Sequence, residues 1–274
     1  NYTSAMGGVC SPKDIETMLQ LLYLNFTQPR FNKDDVDNLT KMLLAQLANA
    51  KSNPDFLMQE KVADVTYGHN PRRQMISTEI VDKFDFEQLP GIYAKLYPGA
   101  NGFVFTFVGN IDPETLKPLV EKYIGSIPAA RKPINYVDDK AYPVKGEVTE
   151  EFTAPMQQPK VSVNYHFSGE MPYNKMALTF LTQALNSRYL VSIREEKGGT
   201  YGVHVQGSTK YIPRETYSMT ISFDTNEEMA DELREIVMKE IEEIAANGPK
   251  SEDIEKNREF MLKSWKNSLE QNAG

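Results

Sequence analysis

The stretch Ser187–Ser208, SRYLVSIREEKGGTYGVHVQGS, holds the residues best suited to chemistry. Arg194 stands where a helical segment closes, and Gly198 and Gly199 open left-handed or close-approach backbone to the chain. Tyr201 begins a strand seven positions after the arginine. Such a turn can set a guanidinium and a phenol side by side at a strand mouth, and both donate hydrogen bonds to a carbonyl oxygen or an oxyanion. The same spacing fits a solvated helix-to-strand turn in which Arg194 pairs with Glu195 or Glu196. Residue type and spacing leave both readings open.

Other chemistries lack their parts. A zinc peptidase needs two imidazoles on one helix face, a carboxylate base and a further ligand. The only histidines, His69, His166 and His204, read as one turn residue and two strand residues, and none has a glutamate and a second histidine at helical spacing. No Gly-x-Ser-x-Gly elbow is present to expose a serine nucleophile. Cys10 is the only cysteine, which excludes an intramolecular disulfide and leaves the redox compartment open. Gly7-Gly8 and Gly198-Gly199 are not followed by Lys-Ser/Thr at a helix start, so neither is a phosphate loop.

The elements that must position Arg194 and Tyr201 follow from periodicity. Met176–Leu190 is apolar on a helical period and feeds the turn, while Lys160–Phe167, Tyr201–Ser208 and Tyr217–Phe223 read as strands. Asn226 is the expected cap of an acidic helix ended by Gly248-Pro249, and Ser251 the expected cap of a last helix. Toward the N-terminus, Ser11-Pro12 is the expected start of one helix and Asn32 caps another with Asp34 and Asp35 in its first turn. Asn53-Pro54 interrupts that helix and 57–65 resumes it; 69–73 is a turn; and 85–96 is helical until Tyr97-Pro98-Gly99. Gly102–Gly109 and Val148–Phe152 are expected strands, and Asp112-Pro113 starts a helix running to Tyr123. Gly125–Lys145, rich in proline, lysine and aspartate, reads as a linker.

Two stretches share a layout of cap, helix, proline, cap, acid-acid-apolar and helix: Ser11–Gln46 and Asn226–Ser264. Asp35 and Asp253 are then equivalent, an offset of 218 residues, which is far too long for a solenoid and implies a duplicated domain. The first copy shows only later elements and the second only earlier ones, so the chain reads as a piece of a longer protein. Its 274 residues carry a net charge of −8, which disfavours nucleic acid as a partner, and no apolar run reaches the roughly 20 residues of a membrane span.

At REEKGGTYG the chain resembles the M16 metallopeptidases, of the pitrilysin and insulinase type, whose non-zinc half carries an arginine and a tyrosine at this separation beside a short glycine turn. The FVGNIDPE run at Phe107–Glu114 and the GSIP of Gly125–Pro128 are similar to the family's closing strand and helix, and the resemblance covers most of the chain. It implies an α+β fold of duplicated αβ roll domains (LuxS/MPP-like), with mixed or antiparallel sheets and helices on one face. Residues 1–135 would be the latter part of a degenerate roll, 136–146 a linker, and 147–274 the first part of the next roll. Arg194 and Tyr201 would reach across a cleft to hold the substrate backbone beside a zinc bound by the other half.

The resemblance further implies that this piece binds no metal or cofactor and does not hydrolyse peptides alone. The family's inverted His-x-x-Glu-His motif is absent, and its glutamate ligand is matched by Gln46, with Leu39 where a second acid is usual. The parent would then be a zinc metallopeptidase, or alternatively a non-catalytic structural or peptide-binding subunit of the same fold. Implied partners are a peptide or unfolded polypeptide and the zinc-bearing half, in the same protein or in a partner subunit. Strand swapping or edge pairing into a homodimer is a further expectation, as is the periplasm or cell envelope as location.

Overall fold

The computed structural model describes residues 4–129, 136–156, 158–171, 175–195 and 202–270, without the side chains of residues 194 and 195. The chain divides into two compact units, Asn1–Ala48 with Ile76–Asp139, and Asn49–Met75 with Lys140–Gly274.

The first unit is built on α1 (Ile15–Thr27), α2 (Lys33–Ala50), α4 (Thr78–Val81), α5 (Leu89–Leu96) and α6 (Pro113–Tyr123), while α3 (Pro54–Thr66) belongs to the second unit. Asn32 caps α2 through its Oδ1, which accepts from the Asp34 N–H at 3.0 Å, and Asp112 caps α6 by accepting from Glu114 and Thr115. Ser11 does not cap with its side chain. The chain instead enters α1 through a 3₁₀ turn, Pro12–Asp14, in which the Asp14 N–H donates to the Ser11 carbonyl. Leu19 of α1 is fully buried, and Glu16, one turn earlier, accepts from Tyr123 Oη at 2.8 Å and pairs with Lys122 of α6 at 3.0 Å. Around Phe26, Tyr97 and Phe103 lie edge-on at 5.9 and 5.3 Å, the geometry favoured by the aromatic quadrupole.

The expected strand 102–109 has the alternation of a strand but no ladder. Phe103, Phe105 and Phe107 are half-buried while Val104 and Val108 are 90% and 71% exposed, and no described strand pairs with them. Propensity shapes an extended segment; a strand also needs a neighbour. For the same reason Val148–Phe152 is not a strand.

The second unit carries one antiparallel sheet among the described residues, in the order β1 (Val161–Glu170), β3 (Thr216–Thr225), β2 (Val203–Lys210). Tyr165, Ile221 and Val205 share one row, and with Val163, Phe167, Met219 and Phe223 they form the apolar face. The opposite face is polar throughout, with Asn164, Ser222 and His204 in one row and His166, Thr220 and Gln206 in the next. On the apolar side lie α7 (Lys175–Tyr189) and α8 (Ala230–Asn247), and α9 (Ser251–Leu269) packs against α7. Leu185, Tyr189, Ile193, Leu233 and Val237 are at most 1% exposed and fill the core. Burying each such side chain contributes roughly 1.5–3 kcal/mol.

Asn226 organises the entry to α8 by accepting from the Met229 N–H at 2.9 Å. Ser251, the expected cap of α9, is its first helical residue; Lys250 holds the cap position without a side-chain bond. Helices α8 and α9 repeat the layout of α1 and α2, including two acids in the first turn of α9 (Glu252, Asp253) and of α2 (Asp34, Asp35), where they face the positive helix end. The fold is thus α+β, with helices on one face of an antiparallel sheet.

Candidate functional site

The Arg194–Tyr201 segment lies in sequence between α7 and β2. Helix α7 does not end at Tyr189 but widens into a π-helical turn, Leu190–Glu195, a rare geometry that recurs at functional sites. The Ser192 hydroxyl donates to the Arg188 carbonyl at 3.0 Å, and Ile193 is fully buried beside Tyr189, so the widened turn is packed. Arg194 therefore has its backbone in this turn, and β2 starts at Val203, two residues after Tyr201. Tyr201 and the side chain of Arg194 lie outside the described residues.

Three residues of α7 fix the frame of this turn, and sequence reasoning missed all of them. Asn186 spans the helix–strand interface: its Oδ1 accepts from the Val205 N–H at 2.9 Å, and its Nδ2 donates to the Val205 carbonyl at 2.9 Å and to the Thr182 carbonyl at 3.0 Å. Val205 is only 6% exposed, so leaving both of its backbone groups unpaired would cost about 1–3 kcal/mol each. Arg188, with a side chain 9% exposed, reaches Glu240 at 3.1 Å and Glu243 at 3.7 Å on α8. Tyr189, fully buried, donates its hydroxyl to the Val237 carbonyl at 3.0 Å, and burial pushes its phenol far up in pKa. The available signal was three polar groups set among the apolar positions of one helix.

The histidines do not come together. His69 stands in a left-handed turn, φ 59°, with Nδ1 2.5 Å from Asp64 Oδ2, a contact that holds the Asp64 carboxyl below its ordinary pKa. His166 of β1 lies 3.1 Å from Thr220 Oγ1, and burial pushes its imidazole pKa down. His204 is an exposed residue of β2. Gln46 is an exposed residue of α2 beside buried Leu47, and its neutral carboxamide is a poor zinc ligand. Among the described residues no three His, Cys, Asp or Glu side chains converge on a point that could hold a metal. The described residues do not fit a zinc site, and no described helix is long and apolar enough to cross a membrane.

The peptidase M16 inactive domain, as a family, matches residues 83–261, which include α5 to α8 and most of α9. The chain belongs to this family. A zinc protease PQQL-like protein of Arabidopsis thaliana is 24% identical over 278 residues, covering 94% of this chain but 29% of the relative. In the crystal structure of the periplasmic protease PqqL from Escherichia coli, 28% of that chain superposes on 92% of this one with a TM-score of 0.74 and 19% identity. A point mutant of the ferredoxin protease FusC, solved in complex with Arabidopsis ferredoxin, gives a TM-score of 0.72 at 16% identity over 94% of this chain and 28% of its own. The chain thus spans less than a third of these proteins, and at such identities the likeness to the solved structures is one of fold. As an M16 inactive domain it has the expected αβ roll architecture, with helices packed on one face of the sheet.

Proposed function

We propose that this chain is part of the non-zinc half of an M16 zinc metalloendopeptidase, where it walls the cleft, binds an extended polypeptide and presents Arg194 and Tyr201 to a reaction centre in the other half. The observation that supports this reading is the packed helix, π-turn and strand that flank an Arg and a Tyr seven residues apart, within a chain that matches the M16 inactive domain. A guanidinium and a phenol in that frame donate to the scissile carbonyl and to the oxyanion that forms from it; loss of one such donor lowers turnover roughly 100- to 1000-fold. The bound protein in the FusC structure supports a polypeptide as the substrate class, and the periplasmic PqqL supports that compartment. Zinc belongs to the other half in this proposal, and the chain alone hydrolyses nothing. The partition into repeated rolls at 1–135 and 147–274, joined by 136–146, is part of the same proposal.

The test uses the complete parent protein with labelled casein, an unfolded polypeptide, as probe. Arg194→Ala and Tyr201→Phe are expected to lower kcat about 100-fold or more while the urea midpoint stays within error. Unchanged turnover refutes the assignment. A parent and partner chain both lacking His-x-x-Glu-His with a distal glutamate would leave the non-catalytic peptide-binding subunit as the reading.

A further inference from the structure

We infer that an extended polypeptide adds to the sheet as a fourth strand along the outer edge of β2 at Gly207–Thr209, and that this edge favours a strand led by an acidic residue. The inference rests on the polypeptide binding proposed above and gives it a place among the described residues. Asn186 reveals which backbone groups of β2 are free. Its carboxamide accepts from the Val205 N–H and donates to the Val205 carbonyl, both at 2.9 Å, so both groups of Val205 point away from β3. In the register Val205 pairs with Ile221, Gly207 with Met219 and Thr209 with Tyr217. Outward-pointing and ladder-bonded residues alternate in an antiparallel pair, so Gly207 and Thr209 turn their N–H and carbonyl groups outward as Val205 does. At Val205 a helix side chain makes the two bonds that a neighbouring strand would make. At Gly207 and Thr209 no described residue makes them.

The open part of the edge lies in a groove. A cavity of about 220 Å³ stands there, lined among the described residues by Lys175, Leu178 and Thr179 of α7 and by Gly207, Ser208 and Thr209 of β2. Gly207 and Ser208 are exposed. Folded proteins cover, charge or shorten a free edge because it templates strand addition, and here the cover stops at Val205. Asn186 already occupies the edge at that residue, so an antiparallel arrival enters beside Thr209 and ends its pairing at Gly207. Side chains of directly opposed residues share a face of the sheet. The residue opposite Gly207 therefore takes the α7 side, where Leu178 Cγ lies 3.0 Å from the position a glycine Cβ would hold, and an apolar side chain suits it. The next residue faces the polar side with Ser208. The one opposite Thr209 returns to the α7 side, at the end of the groove where Lys175 is exposed, and Lys210 is exposed one residue further on. Two ammonium groups at that mouth favour glutamate or aspartate as the leading residue.

The experiment measures fluorescence anisotropy on the complete parent protein, with EDTA present so that nothing is hydrolysed, using labelled casein and a labelled peptide that begins Glu-Thr-Val. Methylating the valine nitrogen of the peptide deletes its hydrogen bond to the Gly207 carbonyl and leaves the protein unaltered; binding is expected to weaken about 10-fold. Thr209→Pro removes an outward N–H and spares the ladder to β3, as proline does on an edge strand. It is expected to weaken peptide binding about 10-fold while the urea midpoint stays within error. Lys175→Glu is expected to reverse a roughly 3-fold preference for this peptide over one that begins Lys-Thr-Val. Equal affinities for the methylated and plain peptides overturn the inference, and so does a folded Thr209→Pro protein that binds the peptide as before. A parent that binds casein but not the peptide overturns the inference alone. A parent that binds neither overturns the polypeptide reading itself, so the two failures are distinct.

Discussion

Replacing Arg188 by methionine removes the charge that ties α7 to α8 while keeping most of its apolar stem. The Arg188 side chain is 9% exposed, and its guanidinium stands 3.1 Å from Glu240 and 3.7 Å from Glu243. At an effective dielectric of about 20 the nearer pair is worth roughly 5 kcal/mol and the farther slightly less, before the mutual repulsion of the two glutamates is counted. Desolvating the arginine costs several kcal/mol in return, and its Nε is buried with no partner. What the variant mainly exposes is the loss suffered by Glu240, whose side chain is 19% exposed and left without its cation. The net expectation is a loss of about 3 kcal/mol, which at a slope of about 2 kcal/mol per molar is a fall of roughly 1.5 M in the urea midpoint. Adding Glu240→Met should restore at least half of the loss, because the stranded charge is removed. Trp265, the only tryptophan, sits on α9, which packs against α7, and together with circular dichroism it reports unfolding of this unit. A midpoint for Arg188→Met within about 0.2 M of the parent chain, or a further fall on adding Glu240→Met, would refute the reasoning.

Two further outcomes are expected. A Cβ at Gly207 would stand 2.8 Å from Thr182 Cγ2 and 3.0 Å from Leu178 Cγ, and the Thr182 hydroxyl is already bonded to the Thr179 carbonyl; Gly207→Ala should therefore destabilise by about 1–3 kcal/mol in urea unfolding, and a neutral variant would mean that α7 yields freely. His166 has its pKa depressed in the folded state by burial, so the unfolded chain takes the proton first. Its contribution is favourable above the ordinary histidine value of about 6.5 and is lost as pH falls through that value toward the depressed one. The midpoint difference between pH 8 and pH 5 should shrink in His166→Gln, and equal differences would contradict the assignment.

Helices and caps were legible because they are local. Asn32 and Asp112 each bond to an N–H two or three residues ahead, a relation visible in one dimension. Ser11 and Ser251 carried the same signal but yielded to a 3₁₀ entry and to Lys250, as often happens within a residue of a helix end. The alternation of β1 and β3 was readable because one face of each is buried on α7 and α8. Phe103–Val108 alternates as well, yet pairing is a property of two segments and the sequence of one cannot supply the other. The site was legible only as residue types. Asn186 and Arg188 interrupt an apolar helix pattern in a way that acquires meaning once Val205 and Glu240 are known to face them, and those partners lie 19 and 52 residues away. The family assignment, by contrast, needed only the match over 83–261 that the Arg-Tyr turn and the Phe107–Pro128 run had anticipated.

Phe103–Val108, FVFTFV, has no charge, no proline and no glycine, and exposes Val104 and Val108 to solvent. A six-residue window of that composition is the kind that stacks in register with copies of itself. The net charge of −8 repels neighbouring molecules only once they approach within about a Debye length, about 8 Å at physiological salt. Within that distance the repulsion opposes contact between copies of this segment, and adding salt to a concentrated solution shortens its reach.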